Sequence, residues 1–305
     1  MAKGFDRLSL LATFARIAER GSISAAARDL DMSQASASRQ LRELEDRIGV
    51  ELIRRTTHAL ALTPAGEACL ADARRLLDGW DAMLDSQAEE SGALRGRLHV
   101  VAPVALGQHD LGDAMLTFRE QQPSVDLVWQ LQDEPVRFVE SGCDLWVRIG
   151  PVPDDRLIVR PLGTVERLVV AAPGLVSGKA SLAAMARLPC IAIGPFEGQS
   201  VPLTGRRGQT VQLAGVPAVT TNNIVSARQA AIRGAGYAVM PRWFVEGDLE
   251  TGVLCDALPG WRAPSLDVNA AYLPQARLTA RLRAFLDHMT EAVSALPGVA
   301  VAQAR

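Results

Sequence analysis

Lysine is almost missing from this 305-residue chain. Lys3 and Lys179 are the two lysines, and every other basic residue is arginine. The planar guanidinium fork suits phosphate and guanine, although a G- and C-rich coding sequence accounts for such a bias better. Net charge is scarce too, at −2, which excludes a uniformly basic coat for nucleic acid but not a local basic face. Residues 1–62 hold ten Arg or Lys against eight acids, so that segment is slightly positive and the remainder negative. The four cysteines (Cys69, Cys143, Cys190, Cys255) form no C-x-x-C pair, which points to a reducing compartment and small buried hydrophobes. Cys143 has no resolving cysteine nearby in sequence, which argues against a redox sensor. No apolar run is long enough for a bilayer and no signal-peptide pattern opens the chain, so the expectation is a cytoplasmic protein without membrane contact.

Signatures of catalysis are absent as well. There is no Walker loop, no H-E-x-x-H and no G-x-S-x-G. Gly234-Ala235-Gly236 follows a helical stretch rather than a strand and lacks a third glycine. His58, His99, His109 and His288 have no metal-ligand spacing, so no metal and no cofactor is expected. An enzyme on an α/β fold is the rival class, and a ligand-free architectural DNA binder is a second.

What is present begins with three short helices. The first spans Leu8–Arg20, apolar at Leu8, Leu11, Phe14, Ile17 and Ala18, and Gly21 ends it. Ser22 or Ser24 caps a second, Ala25–Leu30, where three alanines allow close helix approach. Asp31-Met32 makes a turn. Ser33 caps a third helix that runs to Ile48, with Leu41, Leu44 and Ile48 as its buried stripe. Its leading face is Gln34, Ala35, Ser38, Arg39 and Arg42. Short, weakly helix-forming residues are a poor choice for a merely solvated face and a good one for close approach to DNA. Gln can bridge adenine, and Arg can fork onto guanine or phosphate. Two β-prone arms around Thr56–Ala59 then read as a hairpin wing, with Arg54 or Arg55 as a phosphate contact.

Pro64 opens a long helix through residue 90, with Thr63 as its cap. Leu70, Ala73, Leu77, Trp80 and Leu84 recur at three- and four-residue steps. A helix on the order of 40 Å long outreaches a 62-residue head, so this stripe is expected to meet a partner subunit. Residues 91–97 carry two glycines and read as a hinge. From Leu98 onward, short apolar runs alternate with helical stretches, which argues for an α/β domain.

Gly21-Ser22-Ile23-Ser24-Ala25-Ala26-Ala27, Ser33-Gln34-x-x-x-Ser38-Arg39-Gln40-Leu41-x-x-Leu44-Glu45-x-x-x-Gly49, Leu52-x-x-Arg55 and Leu62-Thr63-x-x-Gly66 together resemble the signature of the LysR-type transcriptional regulators. The resemblance implies a winged helix-turn-helix (1–63), a linker and dimerisation helix (64–90), and an effector-binding domain (91–305). That domain would be two α/β lobes of the periplasmic-binding-protein type, at about 95–164 plus 266–305 and about 165–265. It implies double-stranded DNA as partner, assembly as homodimer or homotetramer, and RNA polymerase contact in an activator. Gln34, Ala35, Ser38 and Arg39 would face the major groove, and Arg42 or Arg55 the DNA backbone, with Ser33 at the start of the helix also among the DNA-binding residues. The wing tip holds His58 where family members frequently carry Arg. By resemblance, Pro103, Val104, Ala105, Gly194, Phe196, Asn222 and Asn223 line an inter-lobe cleft, joined by Asp133 and Arg148. Two helix amino termini, at Val104 and after Asn222-Asn223, suggest an effector with a carboxylate. Plainer readings stand beside these: Asn222 or Asn223 as a cap, Phe196 as core, Asp133 as a solvated acid, Arg148 as an ion-pair partner.

Overall fold

A computed structural model describes residues 6–55, 60–88, 94–176, 181–194, 200–274 and 278–301. The head comprises α1 (Arg7–Arg20), α2 (Ile23–Asp29), α3 (Gln34–Ile48) and a hairpin of β1 (Ile53–Arg55) and β2 (Leu60–Leu62). Local chemistry sets its boundaries. Asp6 and Ser33 accept from Ser9 N and Ser36 N at the starts of α1 and α3. Ser22, not Ser24, caps α2, accepting from Ala25 N at 3.3 Å, so that helix begins at Ile23. Gly21 and Gly49 end α1 and α3 in the left-handed region, at φ 57° and 83°. Asp31 takes φ 50° in the turn between α2 and α3.

Leu10, Phe14 and Ile17 of α1 pack on Ala26 and Ala27 of α2 and on Ala37, Leu41 and Leu44 of α3. Buried Gln40 crosses this core, accepting from Thr13 Oγ1 at 2.7 Å and Ser9 Oγ at 3.2 Å. Ile48 departs from the expected buried stripe: it is 45% exposed, in the last turn before Gly49. In the hairpin, Ile53 pairs with Leu62 and Arg55 with Leu60.

Helix α4 (Pro64–Ala88) follows directly. Thr63 Oγ1 accepts from Gly66 N at 2.9 Å and donates to Glu51 O at 2.7 Å, fastening the helix start to the wing. Gly66 is required there, because a Cβ would lie 2.0 Å from the Leu52 carbonyl oxygen.

The larger part contains β3 (Gly96–Ala102), α5 (Val104–Gln108), α6 (Asp110–Gln121), β4 (Val125–Leu131), α7 (Phe138–Ser141), β5 (Leu145–Ile149) and β6 (Ile158–Ala171). Then come α8 (Leu182–Met185), β7 (Pro189–Ile193), β8 (Ser200–Gly205), β9 (Thr210–Ala214), β10 (Val216–Thr221), α9 (Ile224–Ile232) and β11 (Tyr237–Pro241). The chain closes with α10 (Arg242–Glu250), β12 (Cys255–Asp256), β13 (Trp261–Tyr272), α11 (Ala280–Ser294) and β14 (Val299–Val301).

The main sheet runs β10-β7-β11-β6-β13-β5-β3-β4. β3 is parallel to β4 and β5, and β7 is parallel to β10 and β11, so two parallel wings flank an antiparallel centre. That centre is the long pair β6 and β13, from Ile158 opposite Tyr272 to Arg167 opposite Ala263. Both strands pass through two lobes, so the lobe borders fall inside strands. The first core gathers Val100, Leu106, Leu111, Phe118, Leu145, Phe285 and Met289. Lobe two is buried on both faces of its sheet. Leu168 and Val170 pack with Ile191, Ala227 and Met240 on one side, and Val169 and Ala171 pack with Met185, Tyr237 and Leu258 on the other. Among the described residues, no helix is long and apolar enough to cross a membrane.

Candidate DNA interface and ligand cleft

Ser33, Gln34, Ala35, Arg39 and Arg42 are exposed on α3 and Ser38 is half-buried, while Ala37, Gln40, Leu41 and Leu44 on the opposite face are buried. One helix therefore divides cleanly into a packed side and an open side. Arg47, further along α3, is tied to Glu43 at 2.7 Å. Among the described residues, Arg39 and Arg42 have no such acidic partner. Glu45 braces the face from behind, accepting from Leu52 N at 2.9 Å and Ile53 N at 3.2 Å. It fixes the wing relative to α3, a role that spacing alone did not reveal. Arg55 lies in β1, but its side chain falls outside the described residues, as does His58 entirely.

The stripe on α4 requires a correction. Leu70 and Ala73 are fully buried, at 0% and 1% exposure, in the core of their own head. Leu77 and Cys69 are partly buried against that core. The head covers the first half of the helix, because α1 packs along it. Beyond it, Leu76, Trp80 and Met83 remain 59%, 44% and 48% exposed. The side chain of Leu84 lies outside the described residues.

A cavity of about 400 Å³ opens between the lobes, within the range of small-molecule sites. Pro103, Ala105, Asp133, Arg148 and Asn222 line it, as expected. Three expected residues do not. Val104 is half-buried and donates its backbone N–H to Asp133 Oδ1 at 3.0 Å. Asn223 is the cap of α9, accepting from Ser226 N at 2.9 Å. Gly194 sits just past the lining residue Ile193, with its N–H held by Thr221 O at 2.9 Å. Phe196 lies outside the described residues. Neither helix start is thus the open anion site expected: an acid already occupies the first, and a side-chain cap serves the second.

Residues that the sequence reading missed supply much of the wall. Trp146, Val147 and Ile149 come from β5, Arg167 and Leu266 from the crossing strands, and Val239, Pro241 and Trp243 from the end of β11 and start of α10. Trp243 follows the carboxyl end of a strand, where open α/β sheets place their ligands. Its buried indole N–H has no acceptor among the described residues.

Arg148 is distinctive. Its Nε donates to Pro151 O at 2.7 Å, and its guanidinium lies 4.8 Å from the centre of the Trp146 ring. No carboxylate pairs with it among the described residues. Burial pushes its pKa down, because a charged group is less well solvated there. Arg167 is nearly buried and donates to Pro264 O at 2.6 Å. Cys143 is buried, its thiol donates to Leu145 O at 3.1 Å, and burial first and the nearby Asp144 second drive its pKa far above the usual thiol value. It stays a protonated thiol. Among the described residues no cluster of His, Cys, Asp and Glu is placed to hold a metal.

A winged helix-turn-helix joined by a long helix to two lobes around a cavity is the plan of a ligand-responsive transcription regulator. The comparisons agree. The family described as bacterial regulatory helix-turn-helix protein, lysR family, matches residues 8–67, and the LysR substrate binding domain matches residues 91–294. The chain belongs to the LysR family of transcriptional regulators, which carry an effector-binding domain. It is 33% identical over 291 residues to the HTH-type transcriptional regulator PtxR of Pseudomonas aeruginosa, covering 93% of this chain and 92% of the relative. It is 27% identical over 292 residues to DmlR of Escherichia coli, covering 93% and 94%. Among solved structures, full-length OxyR from Pseudomonas aeruginosa superposes with a TM-score of 0.69 at 17% identity, covering 99% of this chain and 100% of that one. Full-length LysG from Corynebacterium glutamicum, solved with bound effector Arg, gives 0.60 at 19% identity, covering 94% and 98%.

Proposed function

We propose that this regulator reads duplex DNA with the open face of α3 and is controlled by a small organic acid held between its lobes. Gln34, Ala35, Ser38 and Arg39 meet base edges, while Ser33, Arg42, Arg55 and His58 meet the DNA backbone or the flanking groove. Two copies pair through the second half of α4, as a homodimer or within a homotetramer, and an activating form contacts RNA polymerase. The working units are residues 1–63, 64–90 and 91–305. The chain acts in the cytoplasm and catalyses no reaction of its own.

One observation carries the effector class. Arg148 is a cavity cation without an acidic partner among the described residues, and it sits in an apolar wall that includes Trp146, Ile149 and Leu266. A partly buried charge is costly until a counter-charge reaches it. Asp133 lines the same cavity, but its carboxylate already accepts from Val104. A carboxylate on Arg148 with a flat apolar body against the tryptophans satisfies both features. The test is calorimetry with benzoate, benzamide and benzylamine on the full chain and on Arg148→Gln. The reading requires benzoate to bind the native chain, with the amide and amine at least about tenfold weaker. Equal binding of benzoate to Arg148→Gln contradicts it.

A further inference from the structure

Glu19, in the last turn of α1, is surrounded by guanidinium groups. Arg16 of the same helix lies 3.3 Å away, Arg74 of α4 3.4 Å, and Arg97 at the start of β3 3.5 Å. The first two belong to the head and its long helix, the third to the sensing domain. Arg74 also crosses the boundary, donating to the Phe138 carbonyl of α7 at 3.0 Å. Arg281 of α11 joins Asp81 of α4 at 2.9 Å and donates through Nε to Arg97 O at 2.9 Å. Gly142 lies against the cluster. It takes φ +68° after α7, and a Cβ there would lie 2.6 Å from Glu19 Oε1 and 2.8 Å from Arg74 Nη2. A larger residue at 142 pushes the head away.

The position of this contact says what it does. The side chains of Glu19, Arg74 and Arg97 are 20%, 13% and 28% exposed, so the cluster is better shielded than an ordinary surface pair. The open face of α3 takes no part in it, since Gln34, Arg39 and Arg42 stay exposed. The contact therefore leaves the DNA-reading surface free and orients the head. It also shares its strands with the cavity: β3 starts at the contact and leads to Pro103, and β5 follows Asp144 and leads to Arg148.

We infer that the Glu19–Arg74–Arg97 cluster is an intramolecular latch that fixes the head on its own sensing lobe, and so sets the half-site spacing that a dimer accepts. The inference rests on the dimeric reading above. Two heads on one duplex reinforce each other only when geometry lets both engage. A latched head permits one spacing, and a freed head permits several.

The test uses the full chain, a duplex that it selects from a random pool, and the same duplex with about five base pairs, half a helical turn, inserted between the half-sites. Wild type and Arg97→Lys bind the expanded duplex about a hundredfold more weakly than the selected one. Arg97→Glu, which sets a carboxylate against Glu19, binds the selected duplex about tenfold more weakly, and the gap between the two duplexes narrows to about tenfold. Hydrogen exchange rises at residues 16–20 and 138–142 in Arg97→Glu and stays at the wild-type level in β7 and β11. An unchanged spacing penalty in Arg97→Glu overturns the latch, whatever happens to absolute affinity. Unchanged exchange at both segments overturns it too. A wild type that sediments as a monomer overturns the dimeric reading and the latch with it.

Discussion

Replacing Trp80 with Asp tests assembly most sharply. Trp80 is 44% exposed on the half of α4 that the head leaves bare. A tryptophan side chain presents roughly 250 Å², so this exposure leaves roughly 110 Å² for a partner to cover. At about 25 cal/mol per Å², covering it contributes about 3 kcal/mol per protomer. A symmetric pair holds two copies, so the substitution removes about 5–6 kcal/mol and weakens the dimer by roughly four orders of magnitude. Leu76 and Met83 remain on the same face, at 59% and 48% exposure, but an aspartate among them adds a desolvation cost of its own. The assay is sedimentation over a concentration series, beside a DNA titration. Trp80→Asp is expected to be a folded monomer with much weaker DNA binding. Leu70→Ala provides the contrast: its side chain is fully buried in the head, so about 2–5 kcal/mol of head stability is lost while the α4 face stays intact. A Trp80→Asp protein that stays dimeric at low concentration with native DNA affinity refutes the reasoning, and Trp80 is then no interface residue.

Three further outcomes are expected. Arg39→Ala, at an exposed site without an acidic partner among the described residues, weakens binding to the selected duplex by about 1–3 kcal/mol without changing the melting temperature; unchanged affinity in a gel-shift titration at fixed salt removes Arg39 from the interface. Gly66→Ala forces a Cβ to 2.0 Å from the Leu52 carbonyl oxygen, so the head loses about 1–3 kcal/mol in a urea melt, and a neutral result means that α4 shifts freely against the wing. Cys143 resists a thiol reagent in the folded chain at neutral pH, because burial keeps its proton on, and reacts once the chain is unfolded; mass spectrometry that finds native Cys143 modified as fast as the denatured thiol contradicts this.

The head was legible because its signals are local. Ser22, Ser33, Gly21 and Gly49 act within a few residues of where they stand, so the sequence locates the helix ends to within about two residues. Glu45 was not legible, since its partners Leu52 and Ile53 depend on how the wing returns. The α4 stripe had the right period and, in its first half, the wrong partner: periodicity marks an apolar face but not what covers it. The cleft was read half correctly for a similar reason. Asp133 comes 29 residues after Val104 and takes the N–H that the helix-terminus argument had left for a ligand. Arg167, Leu266 and Trp243 reach the cavity through the crossing strands and β11, a convergence that no short motif encodes. Arg148 was named with two alternatives open, because whether an acid stands beside it depends on loops distant in sequence; among the described residues none does.

Sequence-specific reading of DNA by α3 is open to a direct experiment, selection from a random duplex pool. The full chain is cycled against the pool, and the enriched sequences are read out beside those enriched by Arg39→Ala. The native chain is expected to enrich a sequence with dyad symmetry, its half-sites about one helical turn or a small multiple apart, and Arg39→Ala to relax the preference at a matching position in each half. No enriched sequence, or the same sequence at the same strength from Arg39→Ala, would contradict it.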